Sequence, residues 1–185
     1  MNRRSFVTTL AASSAAIAVP KPGFGATSGR NVLGPIPFSM EYMFSYTLSV
    51  QPEVIGPVAE GIRVNLQSRG GTLNGPDIKG KIRPEGADYL YVRSDGIASL
   101  DVRLTFETTD GALIYSTYTG VGELGLDGFQ RFATGNVGGI IPLRVAPRYS
   151  TAHPGYIYLN RLQCVGIGGG DLSTETINFD IYAIR

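Results

Sequence analysis

The sequence predicts an all-β domain, either a closed barrel or a sandwich. Its 25 glycines stand between short apolar runs, as frequent turns require. The clearest run, Met40–Val50, alternates between apolar and polar side chains, which is the pattern of a strand with one buried face. Turn signals separate the runs at Gly70-Gly71, Asp95-Gly96, Asp110-Gly111 and Gly168–Gly170. A chain of 185 residues suits one domain with a single core.

Nine segments qualify as strands, and their length and spacing favour a barrel or a sandwich. They are residues 40–50, 61–67, 78–83, 88–93, 97–108, 112–119, 140–146, 156–166 and 177–184. Residues 121–135 fit either a short helix or a loop, because their glycines weaken a helix.

The N-terminus predicts an export signal. Arg3 and Arg4 precede Phe6 and a run of small apolar residues ending at Ala18, an order typical of twin-arginine signals. Cleavage is expected after Ala18 or Ala26, and the run is shorter than the about 20 apolar residues of a membrane-spanning helix. We therefore expect a periplasmic or secreted bacterial protein. Its parts are the export signal at 1–26, a Pro/Gly-rich linker at 27–39 and one folded domain at 40–185.

The composition disfavours several partners and cofactors. Without residues 1–26 the chain keeps 13 basic and 15 acidic side chains, a balance that disfavours nucleic acid and anionic membrane surfaces as partners. Cys164 and His153 are the only residues of their types, so one chain can form neither a disulfide nor a His/Cys zinc site. The glycine-rich stretch 120–128 lacks the Lys-Ser/Thr ending of a phosphate-binding loop. No metal and no cofactor is expected.

Two Asp-Gly turns suggest a row of three chemically active side chains. A two-residue loop at Asp95-Gly96 places Asp88 opposite Arg103, and a two-residue loop at Asp110-Gly111 places Arg103 opposite Tyr118. Side chains directly opposite each other share one face of a sheet, with Cβ atoms about 5 Å apart. The row is either an exposed ladder or the lining of a barrel that encloses a small ligand. A three-residue loop with a bulge at either turn would shift the register and break the row.

Four motifs in order resemble the domain of unknown function family 3237, also called UPF0311. They lie at residues 61–63, 70–89, 93–114 and 146–161, and the resemblance runs from about Met40 to the C-terminus. The resemblance implies a small antiparallel β-barrel of lipocalin-like or allene-oxide-cyclase-like shape with about 8–10 strands, often as a homo-oligomer. It implies no established activity. Barrels of similar shape include cofactor-free decarboxylases and cyclases that act on phenolic molecules.

The first functional hypothesis is a cofactor-free lyase, isomerase or cyclase for a small aromatic, anionic substrate. Arg103 would hold a carboxylate or phenolate, and Asp88 would orient Arg103 or act as a base. Tyr118 would transfer a proton, with its pKa lowered by the neighbouring cation. The matched motifs add four candidate substrate-binding residues, which are Arg63, Arg148, Tyr156 and Asn160.

Two hypotheses without chemistry stand beside the first. A carrier of a small aromatic or hydrophobic ligand would have the same cavity, with a mostly apolar interior and few ionisable groups. A structural or interaction barrel would carry the polar row on a solvated face. Whether the chain is an enzyme is therefore open at the level of the sequence.

Overall fold

The computed structural model describes Gly34 and residues 36–185 of the chain. The predicted export signal at 1–26, both candidate cleavage sites and most of the predicted linker at 27–39 lie outside the described residues. Within residues 36–185, neither helix is long or apolar enough to cross a membrane.

Within the described residues, nine strands form the domain, together with one α-helix and one 3-10 helix. The strands are β1 (Met40–Val58), β2 (Gly61–Asn74), β3 (Lys79–Val92), β4 (Ile97–Thr108), β5 (Leu113–Glu123), β6 (Ile140–Val145), β7 (Arg148–Ser150), β8 (Gln163–Asp171) and β9 (Thr176–Ile184). The helix α1 (Gly128–Ala133) lies between β5 and β6, and the 3-10 helix (Pro154–Arg161) lies between β7 and β8.

Eight of these strands close into an antiparallel barrel. Each pairs with two neighbours in the circular order β1, β2, β3, β4, β5, β6, β8, β9, and β9 pairs back to β1. The short β7 pairs with residues 115–117 in the first part of β5, and β6 pairs with residues 120–122 farther along the same strand. The predicted all-β barrel is therefore confirmed, and the sandwich alternative is not formed. Closure leaves none of the eight strands with a free edge.

Two of the predicted strand boundaries lie inside continuous strands, at bends that contain glycine. The predicted turn at Gly70-Gly71 is wrong, because both residues lie within β2, where the register with β3 shifts between Gln67 and Gly71. Gly70 has φ +93° there, which suits a bulge. A second shift, at Gly86 with φ +109°, lets the predicted strands 78–83 and 88–93 join as the single strand β3.

The prediction of a strand over 156–166 is wrong in its first half. Pro154 starts the 3-10 helix, and the side chain of His153 accepts a hydrogen bond from the backbone N–H of Gly155 at 3.2 Å. Pro suits the first turn of a helix because its missing N–H would have no partner there. The predicted turn at Gly168–Gly170 is also wrong, since these glycines lie within β8. A Cβ at Gly168 would stand 1.9 Å from the carbonyl oxygen of Asn178 on β9, so only glycine fits this close pairing.

The inner faces of the strands fill the lower end of the barrel and leave space at the upper end. We define the upper end by the β3–β4 hairpin and the lower end by the β4–β5 hairpin. At the lower end the ring of Phe44 packs edge-on against Phe106 at 6.2 Å and against Tyr149 at 5.7 Å. The 3-10 helix adds Leu159, which is 1% exposed. Close packing of these rings fills the lower half of the core.

Both Asp-Gly hairpins have three-residue loops rather than the predicted two-residue loops. Arg93 N–H donates to the carbonyl oxygen of Ile97 at 2.8 Å, and Gly96 N–H donates to that of Arg93 at 3.0 Å. Thr108, Gly111 and Ala112 repeat this arrangement at the second hairpin. The two loop glycines have φ +82° and +84°, as expected for a type I turn followed by a left-handed bulge residue.

The two loop glycines provide a matched pair for a stability measurement. Gly111→Ala should cost about 1–2 kcal/mol, because a left-handed residue with a Cβ is strained and nothing lies within 4 Å of that Cβ. Gly96→Ala should cost at least about 2 kcal/mol more, because its Cβ would stand 1.9 Å from the carbonyl oxygen of Gly125. Urea unfolding of both variants measures the difference, and equal losses would contradict this close contact.

Candidate functional site

The three-residue loops change the predicted row of side chains. Asp88 lies opposite Val102, and Val102 lies opposite Tyr118. Each turn shifts the register by one residue, and the two shifts cancel for the outer members of the row. Asp88 and Tyr118 therefore still share one face, and both are buried, at 7% and 6% exposure. The predicted row of Asp88, Arg103 and Tyr118 is wrong in its middle residue.

Arg103 lies on the outer surface of the barrel. Its neighbours across the sheet are Ala87 and Thr117, and its guanidinium forms an ion pair with Asp101 at 3.1 Å. The side chain is 49% exposed. Because side chains along a strand alternate between faces, one residue of register moved Arg103 from the predicted interior to the outer surface.

Asp88 lies between two small cavities inside the upper half of the barrel. The upper cavity has a volume of about 40 Å³, and its wall is apolar apart from Asp88. The lower cavity has about 10 Å³ and is lined by Asp88, by Tyr118 and otherwise by apolar side chains such as Phe179. A cavity of about 10–15 Å³ on this scale holds one water molecule. The closed barrel therefore has room for a few water-sized groups beside the Asp88 carboxyl group.

The carboxyl group of Asp88 is held by the backbone and raised in pKa. Its Oδ1 accepts a hydrogen bond from the N–H of Asp101 at 3.0 Å. Burial raises the pKa of Asp88 to about 7, and the hydrogen bond opposes this effect by stabilising the carboxylate. Neither cavity is lined by an Arg or Lys side chain from the described residues. Asp88 can therefore exchange a proton near neutral pH.

A hydrogen bond between two tyrosines crosses the inside of the barrel. The hydroxyl groups of Tyr46 on β1 and Tyr118 on β5 lie 2.8 Å apart, and either can donate. These strands are four positions apart in the closed order of eight, so they stand on opposite walls. Burial raises the pKa of both phenols above the ordinary value. The predicted lowering of the Tyr118 pKa is wrong, because it required the Arg103 guanidinium beside the phenol.

The four predicted substrate-binding residues do not line either cavity. Arg63 lies on the outer surface of β2, where its Nη1 donates to the carbonyl oxygen of Tyr89 at 2.8 Å. The other three lie near the lower end of the barrel. Arg148 donates to Gln163 at 3.1 Å, and the hydroxyl of Tyr156 donates to Asp110 at 3.0 Å.

Asn160 has a bracing role in this structure. Its Oδ1 accepts from the N–H of Thr151 and its Nδ2 donates to the carbonyl oxygen of the same residue, both at 2.9 Å. Both polar atoms of the amide are occupied by one loop residue. No three His, Cys, Asp or Glu side chains within the described part of the chain come together as ligands for a metal ion.

Sequence reasoning did not select the residues that close the cavity or the second tyrosine. Leu124, Phe132 of α1 and Leu172 line the upper cavity from outside the barrel strands or their ends. Tyr46 belongs to the most regular alternating run of the sequence, so its inward direction could have been inferred. Its contact with Tyr118, 72 positions away in the chain, could not.

Comparison with known proteins places this barrel in a family. Residues 38–184 match the family described as "Protein of unknown function (DUF3237)". The chain belongs to this family. A UPF0311 protein of Bradyrhizobium diazoefficiens is 30% identical over 147 residues, which cover 78% of this chain and 95% of that protein.

Solved structures share the DUF3237 barrel. A beta-barrel like protein of Acinetobacter baumannii is 27% identical and superposes with a TM-score of 0.70, over 82% of this chain and 99% of that one. A protein of Penicillium herquei that is called an enzyme is 20% identical, with a TM-score of 0.61 over 82% of this chain and 97% of that one. At that identity the likeness shows the fold alone.

The buried carboxyl group predicts a stability that falls with rising pH. The pKa of Asp88 is about 7 in the folded barrel, against about 3.9 for an unfolded aspartate. Between pH 4 and 7 the unfolded chain therefore releases its proton more readily, and folding loses up to about 4 kcal/mol. Asp88→Asn cannot titrate and keeps the acceptor for the Asp101 N–H, so it should be more stable than the unsubstituted protein at pH 8.

Urea unfolding at pH 4.5 and pH 8 measures this effect. The gain of Asp88→Asn over the unsubstituted protein should be larger at pH 8 than at pH 4.5. Asp180→Asn makes the same change on the exposed face of β9 and is the matched control for a substitution outside the cavity. A gain for Asp88→Asn that is independent of pH would contradict a carboxyl group with a raised pKa.

Proposed function

We propose that the barrel is a cofactor-free proton-transfer catalyst, of the isomerase, lyase or cyclase type, for a small uncharged molecule with a carbonyl group. The observation that supports this proposal is a single buried carboxyl group with a pKa near 7 in an otherwise apolar cavity, with the phenol of Tyr118 two strands away in the same inner row. An aspartate base with a tyrosine donor in an apolar site suits proton removal next to a carbonyl.

Asp88 is the proposed general base and acid. A group whose pKa lies near the working pH is populated in both forms, so it can take a proton and return it. Within residues 36–185 the carboxyl group has one hydrogen-bond partner, the N–H of Asp101 on Oδ1. Oδ2 is the oxygen left for the substrate.

Tyr118 is the proposed hydrogen-bond donor to the carbonyl oxygen of the substrate. Its raised pKa keeps the phenol protonated, so it serves as a donor and not as a base. When Tyr46 donates within the tyrosine pair, the proton of Tyr118 remains free for the ligand. Neighbouring strands are about 4.8 Å apart, so β3 and β5 hold the two groups roughly 10 Å apart at the backbone, within the span of one small molecule.

The proton transfer balances without a cofactor. Asp88 takes a proton from the carbon next to the carbonyl, the C–H electron pair forms a C=C bond, and the C=O π pair moves to oxygen. Tyr118 stabilises that oxygen by a hydrogen bond. Return of the proton from Asp88 to the same or a conjugated carbon completes an exchange or a double-bond shift.

The charges of the site favour an uncharged substrate. The expectation of an anionic substrate rested on Arg103, which lies outside the barrel. An anion beside the Asp88 carboxylate would meet a like charge in an apolar surrounding without a compensating cation, which is unfavourable.

Entry of a substrate requires movement at the upper end. The cavity of about 40 Å³ is smaller than the about 150 Å³ that encloses benzene, and Phe132 and Leu124 cover it. The segment that carries them includes Gly135 and Gly139, where an added Cβ would meet nothing within 4 Å. We propose that this segment opens, so Phe132→Ala should speed ligand entry.

Hydrogen–deuterium exchange of cyclohexanone in heavy water, followed by NMR, tests the proposal. The barrel should speed exchange next to the carbonyl, with a rate that rises with pH and levels off above about pH 7, where Asp88 is ionised. Asp88→Asn and Tyr118→Phe should each lose about 100-fold or more of this rate. Arg103→Leu is the control and should retain the rate, because the side chain lies on the outer surface.

A ligand carrier is the second candidate, and the mostly apolar wall of the cavity favours it. Chemical-shift changes of cavity methyl groups on addition of cyclohexanone, without any exchange, would support the carrier and contradict the catalyst. Cyclohexanecarboxylate tests the charge preference, and tighter binding of this anion than of the ketone would contradict an uncharged ligand. The absence of binding by both probes would overturn both functions.

A further inference from the structure

The pairing of β3 with β4 is interrupted next to Asp88. Asp88 pairs with Val102, and pairing in the same register resumes at Tyr91. In this described stretch of the sheet, Tyr89 and Leu90 form no pair with β4. The pairs on the two sides of the gap, at Asp88 and at Tyr91, have the same register. The gap is therefore not a bulge that changes the alignment of the strands.

One redirected hydrogen bond accounts for the gap. In an antiparallel ladder of this register, the N–H of Asp101 would donate to the carbonyl oxygen of Tyr89. It donates instead to Oδ1 of Asp88, at 3.0 Å. Asp88 thereby obtains a donor that the sheet would otherwise use, and the Tyr89 carbonyl loses its donor.

Arg63 supplies the missing donor to that carbonyl. Its Nη1 donates to the oxygen of Tyr89 at 2.8 Å, and its guanidinium lies over the ring of Tyr91 at 5.4 Å. Backbone carbonyls in a sheet need a partner, and the stacked guanidinium is a well-oriented one. The side chain stands on the outer face of β2, on the other side of the sheet from the Asp88 carboxyl group.

We propose that Arg63 is a positioning residue for the carboxyl group of Asp88. Because Arg63 already donates to the Tyr89 carbonyl, the N–H of Asp101 does not donate there. It remains hydrogen-bonded to the carboxyl group of Asp88. Without Arg63, the N–H of Asp101 donates to the Tyr89 carbonyl, as in a regular antiparallel ladder. Asp88 then loses its hydrogen bond. The inference rests on the proposed function for its catalytic meaning, since Asp88 is the proposed base.

No described cation competes with this hydrogen bond for control of Asp88. The titratable groups that face the carboxyl group are Tyr118 from β5 and Tyr46 from β1, with Asp101 on the adjoining strand. Both phenols are neutral near pH 7 because burial raises the pKa of each. The Asp101 N–H is therefore the group that favours the carboxylate form, and its loss raises the pKa of Asp88.

NMR of the full chain with labelled aspartate tests the inference without any substrate. In the unsubstituted protein, the amide proton of Asp101 should shift with pH at the same midpoint as the carboxyl carbon of Asp88. Arg63→Leu should move that midpoint to higher pH by about one to two pH units, because the carboxylate loses its hydrogen bond from a backbone N–H. The amide proton of Asp101 should then no longer follow the carboxyl group.

Arg93→Leu is the matched control, because it removes an equal charge just after the end of β3, where Arg93 pairs with Asp95, and leaves the Tyr89 carbonyl and Asp101 untouched. The midpoint of the Asp88 titration in this variant should stay at the value of the unsubstituted protein. An equal shift in both variants would assign the effect to charge alone and overturn the proposal, as would an unchanged midpoint in Arg63→Leu. If Arg63→Leu fails to fold, Arg63→Met carries the same measurement, because Met is long and has no hydrogen-bond donor.

The outcome is separable from that of the proposed function. The titration reports the hydrogen bond whether or not the barrel exchanges protons of cyclohexanone. A failed exchange assay with the expected shift would remove the catalytic role and leave Arg63 as the residue that positions Asp88. An absent coupling between Asp101 and Asp88 in the unsubstituted protein would overturn the positioning role alone.

Discussion

The hydrogen bond between Tyr46 and Tyr118 divides the inside of the barrel into two halves. It joins opposite walls, and the ring of Phe179 packs against both phenols at 5.4 and 6.0 Å. Below it, aromatic rings fill the space, and above it lie the cavities around Asp88. Removing one hydroxyl would leave the other buried without its partner, which would destabilise the fold.

The buried carboxyl group is the feature that hydrophobic packing alone does not explain. An aspartate without a cation in an apolar interior destabilises the fold above its unfolded pKa, and an apolar residue of similar size would remove this cost. The DUF3237 barrel nevertheless surrounds Asp88 with a redirected backbone N–H, an arginine on the outer face and a phenol in the same inner row. Such a local conflict with stability is typical of a functional site.

The candidate site was predictable in part. The alternation of β3 and β5 correctly set Asp88 and Tyr118 on one common face, because the two errors in loop length cancelled. The predicted position of Arg103 depended on each turn separately, so one extra loop residue moved its side chain to the outer face. The motif-derived residues Arg148, Tyr156 and Asn160 occupy structural contacts at the lower end of the barrel. Their roles in binding, like the export signal and the homo-oligomer, stay predictions from the sequence.

The sequence by itself determined most of the strands, the all-β fold and the family, because alternation and turn chemistry are local properties of the chain. Strand β4 has the predicted bounds 97–108 for this reason. Tertiary structure decided which face is enclosed, how the glycines at 70 and 86 bend long strands, and which distant residues meet. Alternation along a strand shows which side chains share a face, but not which of the two faces is enclosed. Barrel closure then chose the inner face, and the hydrogen bonds of two turns chose the register.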